Sequence, residues 1–173
     1  GTRERDADLQ QIQAAGAETW RLSVEGLIAH PMSLSLADLR AMTVGRQITH
    51  LACEEGWSYI AEWTGGRLSH LLNVVGASPH AKYAVYFSLD EWWWDSIDMP
   101  EALHPQTLVT YGMNGRDLPI GHGAPVRLRV PRQLGYKSVK HLARITLTDN
   151  MKKFDKGLGS SVSEFGYSWY AGI

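Results

Sequence analysis

The chain has 173 residues, the size of one domain, and its 17 Lys and Arg against 18 Asp and Glu leave a formal net charge of −1. Such a balance argues against nucleic acid or an acidic membrane as the main partner, so any basic site must be local. No apolar run approaches the roughly 18 residues of a membrane span, and the single cysteine rules out an internal disulfide or a multi-cysteine zinc cluster.

Residues 1–19 have few apolar positions and read as a solvated N-terminal arm or a truncated segment. No charged stretch followed by an apolar one opens the chain, so no targeting peptide is expected in it; removal of one would leave an abrupt polar start such as GTRERDADLQQIQ. From Trp20 the pattern changes. Trp20, Leu22 and Val24 alternate with Arg21, Ser23 and Glu25, which predicts a half-buried strand closed by Gly26. Ser35 with Asp38 has the spacing of a capping box and opens a short helix to about Met42. A strand over 47–52 delivers Cys53 at its end, before a turn at Gly56. Leu68, Leu71, Leu72 and Val75 follow helical spacing, with Gly76 placed to end the helix. Tyr83, Val85, Phe87 and Leu89 alternate, so 82–89 reads as a strand. A Pro- and Trp-rich loop and a short helix near 100–103 follow. Asn114-Gly115 is a two-residue hairpin signal between strands over 108–113 and 116–118. Val126, Leu128 and Val130 alternate with Arg127 and Arg129 in a strand stopped by Pro131, and a last strand covers 141–148. Residues 150–173, rich in Gly, Ser and aromatics, read as an irregular C-terminal arm lying over a core domain of 20–149. Strands and helices do not alternate regularly, which argues against a doubly wound parallel sheet and favours mixed α+β, rich in β.

Three segments can carry chemistry. Cys53 sits between a strand and a glycine turn, where backbone approaches a ligand closely, and its thiolate is a soft ligand for a polarizable metal; a small buried hydrophobe is the plain alternative. In His122-Gly123-Ala124-Pro125-Val126-Arg127, an imidazole and a strand guanidinium could grip an anion, or the segment is only a tight turn. Gly135-Tyr136-Lys137-Ser138-Val139-Lys140 offers amides, a hydroxyl and two ammonium groups, the inventory of a phosphate cradle, though a solvated basic loop has the same composition and no Walker spacing is present. Trp92, Trp93 and Trp94 cannot all point inward from one regular element, so at least one is expected at a pocket or an interface. The remaining histidines show no mutual metal-ligand spacing.

Taken in order, CEEGWS, LHPQTLVTYGMNGRDLP, HGAPVRLRVP and GYKSVK resemble the oxidoreductase molybdopterin-binding domain, a family that includes sulfite oxidases and the catalytic subunits of periplasmic methionine-sulfoxide reductases. The opening TWRLSVEGLIAHPMSLSLADL matches the start of that family's core, and the likeness runs from about Trp20 to Asp149. The resemblance implies the sulfite-oxidase type of fold, α+β with β-rich mixed layers and a few short helices. It implies a molybdenum–molybdopterin cofactor, with Cys53 as the catalytic thiolate and sole protein ligand to the metal. His122 and Arg127 fall where the family contacts the pterin and its phosphate, Ser138, Val139 and Lys140 match the stretch that holds the anionic end, and Ser88 matches another cofactor contact. The implied activity is two-electron oxygen-atom transfer on a small S- or N-oxide, against sulfite oxidation or a non-catalytic binding module as alternatives. No CxxCH haem motif is present, so the resemblance implies a redox partner such as a cytochrome or a membrane haem protein. It also implies a periplasmic or otherwise exported location, with the cytoplasm as the alternative. The chain departs from the family in three places: Trp93 or Trp94 occupies the region where sulfite oxidases place a catalytic tyrosine, and two further departures lie upstream. Residues 1–19 lack the usual Asn- or Arg-containing segment that contacts the cofactor, and Trp57 and Ser58 stand where sulfite oxidases carry arginines. A pocket rimmed by Trp57 and the Trp92–94 run would suit an uncharged substrate.

Overall fold

A computed structural model describes Gln10 and residues 17–173; the expectations for 1–19 fall almost wholly outside the described residues. Among the described residues ten strands form two sheets. The first joins β1 (Leu22–Gly26), β2 (Met32–Leu34), β5 (Tyr83–Ser88), β6 (Trp94–Asp98) and β10 (Leu142–Thr148) in the order β2-β1-β10-β5-β6. The second joins β3 (Val44–Ala52), β4 (Ser58–Arg67), β7 (Leu108–Met113) and β8 (Arg116–Asp117) in that order, with β9 (Arg127–Arg129) also paired to β7. All pairings are antiparallel except β1 with β10, where Val24 lies beside Ile145.

Local chemistry sets these elements. In the capping box of helix Leu36–Ala41, Ser35 Oγ accepts from the Asp38 amide at 3.1 Å and the Asp38 carboxylate accepts from the Ser35 amide at 2.8 Å. Helix Leu68–Val74 buries Leu68, Leu71 and Leu72, as its apolar spacing requires. Asn114 and Gly115 turn the β7–β8 hairpin at φ of 53° and 75°, the left-handed pair that a two-residue turn demands.

The main core lies between the sheets. It gathers Leu22 and Val24 from β1, Tyr86 from β5, Val109 from β7, Leu128 from β9, and Ile145 and Leu147 from β10, with the Leu68–Val74 helix. Each fully buried leucine contributes about 2 kcal/mol. β5 is buried on both faces, since Val85 and Phe87 point away from Tyr86 into a separate cluster with Trp94, Met151 and Phe154. The segment after β10 supplies that second cover: the Ser161 amide donates to Trp94 O at 3.1 Å, and Trp169 Nε1 donates to Ser96 Oγ at 2.7 Å.

Three strands depart from the sequence expectation. The pattern does not predict β2. Nor does it predict β4, because the outward Ile60 is exposed and mimics a core position, blurring the alternation of buried Ala61 and Trp63. β6 lies where the sequence predicts a loop. Its polar WDSID is almost wholly buried, since Asp95 meets Lys137 at 2.6 Å with neither side chain exposed.

Candidate functional site

One cavity of about 450 Å³ opens where the β3–β4 turn, the end of β5 and the loops before and after β9 converge. All seven residues singled out in the sequence line it: Cys53, Ser88, His122, Arg127, Ser138, Val139 and Lys140.

Cys53 stands at the head of the β3–β4 turn. Its amide donates to Trp57 O at 2.9 Å and its carbonyl accepts from the Gly56 amide at 3.1 Å; Gly56 takes φ of 90°, which closes the turn. The thiol reaches the Glu54 carboxylate at 3.3 Å. Burial pushes this thiol up from its ordinary value, and the charges of Glu54 and Glu55 push the same way. Gly135 lies flat on the end of β3. A Cβ there would come within 3.1 Å of the Leu51 side chain and 3.3 Å of Ala52 O, so the missing side chain eases the close approach of this loop to the end of β3.

The opposite wall is cationic. Arg127 is 2% exposed; its Nη1 donates to His122 O at 2.9 Å and its Nη2 to Ser138 O at 2.7 Å. Its Nε finds no partner, and no carboxylate pairs with it, among the described residues. Burial lowers this guanidinium to about 10. Ser138 Oγ accepts from the Val130 amide at 3.0 Å, while Val139 O accepts from the Leu128 amide at 2.9 Å, so both loop residues are fixed to β9. Lys140 lies at the open side with Nζ 2.6 Å from Gly121 O. His122 ends the 3-10 turn Ile120–His122; its Nδ1 lies 3.3 Å from the Tyr59 hydroxyl, and burial holds it below the usual imidazole value, helped by Lys140 and Arg127. Ser88 Oγ donates to the Asp90 carboxylate.

Two expectations need correction. Of the two lysines in GYKSVK, only Lys140 faces the cavity; Lys137 is buried behind it on Asp95 Oδ1 and on Ser96 O at 2.9 Å. Of the tryptophan run, only Trp93 lines the cavity, while Trp94 turns into the Phe87 cluster and Trp92 is 55% exposed. The sequence also missed Tyr59, Tyr136 and His141, all on the cavity wall. Tyr59 stacks on Trp57 at 5.9 Å and 8°. Its position two residues on from Trp57, along a strand, would have given it away had β4 been recognised. His141 takes φ of 52° with Nδ1 2.7 Å from Ala124 O; no sequence signal marks it.

Among the described residues no three His, Cys, Asp or Glu side chains converge to hold a metal unaided. A metal seated at Cys53 must therefore bring its other ligands with it. Two buried arginines on β9, Arg127 and Arg129, both lack a carboxylate partner, and each has an Nε without a partner among the described residues. Such a wall fits an anionic group, since buried charge is retained at a tolerable cost only when paired. One thiol thus shares a cavity with a buried cationic wall, an arrangement that suits a large anionic group. The chain belongs to the oxidoreductase molybdopterin-binding domain family, whose model matches residues 8–154. The match starts before Trp20, where the motifs alone placed its beginning, and the family's domain binds the molybdenum cofactor. Over 167 residues the chain is 35% identical to a protein of Azospira oryzae provisionally named as protein-methionine-sulfoxide reductase subunit YedZ1, covering 96% of this chain and 60% of that one. It is 34% identical over 163 residues to the protein-methionine-sulfoxide reductase catalytic subunit MsrP of Ralstonia nicotianae, covering 86% and 49%. The chain thus spans about half the length of the curated relatives it matches. The sulfane dehydrogenase SoxCD of Paracoccus pantotrophus superposes with a TM-score of 0.73 at 23% identity, covering 78% of this chain and 39% of that one, which establishes the β-rich α+β fold.

Proposed function

We propose that this domain holds molybdenum–molybdopterin in the cavity beside Cys53 and carries out two-electron oxygen-atom transfer on a small, uncharged S-oxide or N-oxide. The observation that carries the reading is the convergence of one thiol with a buried guanidinium, Lys140 and the Ser138 loop around a single cavity. In this reading Cys53 binds the metal as thiolate, a form the metal itself stabilises against the effect of burial. Arg127 and Lys140 meet the phosphate of the pterin, with Ser138, Val139, His122 and Ser88 as further contacts. Bound there, the group supplies the redox chemistry, while the protein orients it and excludes water. Tyr59 fixes His122 through its hydroxyl, and the rings of Trp57, Tyr59, Trp93 and Tyr136 give the cavity an apolar wall.

The substrate class rests on charge. Glu54 and Glu55 both line the cavity next to the thiol, so a second anion such as sulfite would meet repulsion where an uncharged oxide would not. The electron donor is a separate protein, such as a cytochrome or a membrane haem protein; no helix among the described residues is long and apolar enough to cross a membrane. The name of the Ralstonia relative designates a catalytic subunit, and periplasmic export of the parent protein belongs to the same reading.

The test is protein made in a molybdenum-competent host, assayed for metal and pterin, then offered S-oxides, N-oxides and sulfite with a reduced or oxidised dye. The expected result is about one molybdenum per chain, by the one-thiolate site, and turnover of the oxides. Cys53→Ser should retain pterin and lose turnover. Activity that survives this exchange refutes the ligand assignment. Sulfite turnover at an ordinary enzymatic rate, about 1 per second or more, refutes the substrate class.

A further inference from the structure

β9 carries a second arginine that the proposed contacts do not use. Arg129 is fully buried, two residues from Arg127 on the same face of the strand, and does not line the cavity. Both guanidiniums rest on one ring, 5.4 Å and 5.2 Å from the centroid of Trp63 for Arg127 and Arg129. Arg129 Nη2 donates to His50 O at 2.6 Å and to Thr49 Oγ1 at 3.4 Å, on the strand that delivers Cys53. Its Nη1 reaches Ser138 Oγ at 3.4 Å, in the loop that lines the cavity. Its Nε has no partner among the described residues, nor does any carboxylate there pair with it.

Hydrogen bonds to neutral carbonyls and hydroxyls orient a guanidinium but leave its charge uncompensated, which is costly in a protein interior. Two such charges on one aromatic ring also repel each other. A doubly charged anion on the cavity side of Arg127 would balance the arrangement, and a phosphate monoester carries about that charge near neutral pH.

We propose that Arg129 is a positioning residue of the cofactor site, which clamps the Cys53 strand to the Ser138 loop and supplies a second buried positive charge that only a dianionic group balances. The proposal rests on the cofactor reading above. Arg129 acts through Ser138, His50 and Arg127 rather than by contact.

The experiment compares wild type, Arg129→Met and Arg129→Lys, each made with and without cofactor supply. Pterin and molybdenum per chain are measured on the first preparation, and the thermal midpoint on the second. For Arg129→Met the pterin content should fall about tenfold or more, as for other groups that support a ligand-holding residue. Its cofactor-free midpoint should not fall below that of wild type, because removing an unbalanced buried charge offsets the lost hydrogen bonds to His50 O and Ser138 Oγ. A purely architectural arginine gives the opposite second result, a lowered midpoint. Arg129→Lys keeps the charge but not the two-ended fork, so it should hold clearly more pterin than Arg129→Met and less than wild type. Arg129→Met that keeps pterin within about twofold of wild type, or that loses midpoint in step with pterin, overturns the proposal. If Arg129→Met fails to fold, Arg129→Lys decides: retention supports the charge role, and a loss as large as that of Arg127→Met refutes it. Wild type with neither molybdenum nor pterin defeats the cofactor reading itself, whereas a loaded wild type with an unaffected variant defeats only the role of Arg129.

Discussion

Lys137→Met tests whether a buried ion pair sets the loop that forms the cavity floor. Lys137 Nζ lies 2.6 Å from Asp95 Oδ1, and neither side chain is exposed. The carboxylate also accepts from Ser160 Oγ at 3.2 Å and from the Ser96 amide at 2.7 Å. Burial raises Asp95 from its ordinary 3.8 to about 6, although Lys137 pulls it down; the lysine is lowered by the same burial. A carboxyl raised in the folded state stabilises most below its unfolded value and loses that contribution as pH climbs through its folded value, here between about 4 and 6. Without Lys137 the folded value rises further, so the loss extends to higher pH. Removing one partner of a buried pair costs about 3–5 kcal/mol, which is the deficit expected near pH 8. Toward pH 5 the orphaned Asp95 is neutral, and at about 1.4 kcal/mol for each pH unit the deficit should shrink by roughly 2–3 kcal/mol. Urea unfolding of wild type and variant at several pH values measures this directly. A deficit that is the same at both ends of the range, or below about 1 kcal/mol throughout, would show that the pair is not held as an ion pair.

Two further substitutions probe the supports of the site. Gly123→Ala forces a side chain into φ of 106° and sets its Cβ 2.8 Å from Lys140 Cβ; a loss of about 1–3 kcal/mol in denaturant unfolding is expected, and an unchanged midpoint would mean the turn relaxes freely. Tyr86→Phe removes a buried hydroxyl that donates to Lys137 O at 2.9 Å, leaving that carbonyl short of a donor at a cost of about 1–2 kcal/mol by the same measurement; an equally stable variant would show that the carbonyl finds another donor.

Much of the fold was legible because its signals are local. The Ser35–Asp38 box, the Leu68–Leu72 spacing and the Asn114-Gly115 turn each specify their own backbone. β6 was not legible, since WDSID becomes a buried strand only when Lys137, 42 residues later in the chain, neutralises Asp95. β4 was hidden by Ile60, which is 69% exposed and so breaks the expected pattern of inward apolar residues. In the site, the ordered motifs brought forward six residues that share one cavity, and Ser88, matched separately, lines it too. The alternation in β9 was also readable, but it did not reveal that its arginine face packs on Trp63 rather than on solvent. That fact depends on where β4 lies, and no neighbour in sequence records it.

The two sheets explain why the cavity lies where it does. The chain leaves β9 in one sheet and enters β10 in the other, and the residues between them form the cavity floor. Adjacent residues of that crossing are pinned to different sheets: Lys137 to Asp95 of β6, and Ser138 to Val130 and to Arg129 of β9. The floor therefore cannot shift without breaking either a buried ion pair or the bonds at β9. Cys53 is carried on the same frame, because Arg129 ties the strand before it to Ser138. Groups placed by packed strands hold their geometry more tightly than groups on turns. The guanidiniums belong to the first kind, and Cys53, at the head of the β3–β4 turn, belongs with Trp57, Trp93 and His141 to the second. Grip on the cofactor should accordingly be set by β9 and its crossing loop, and choice of substrate by the aromatic and acidic residues at the turns.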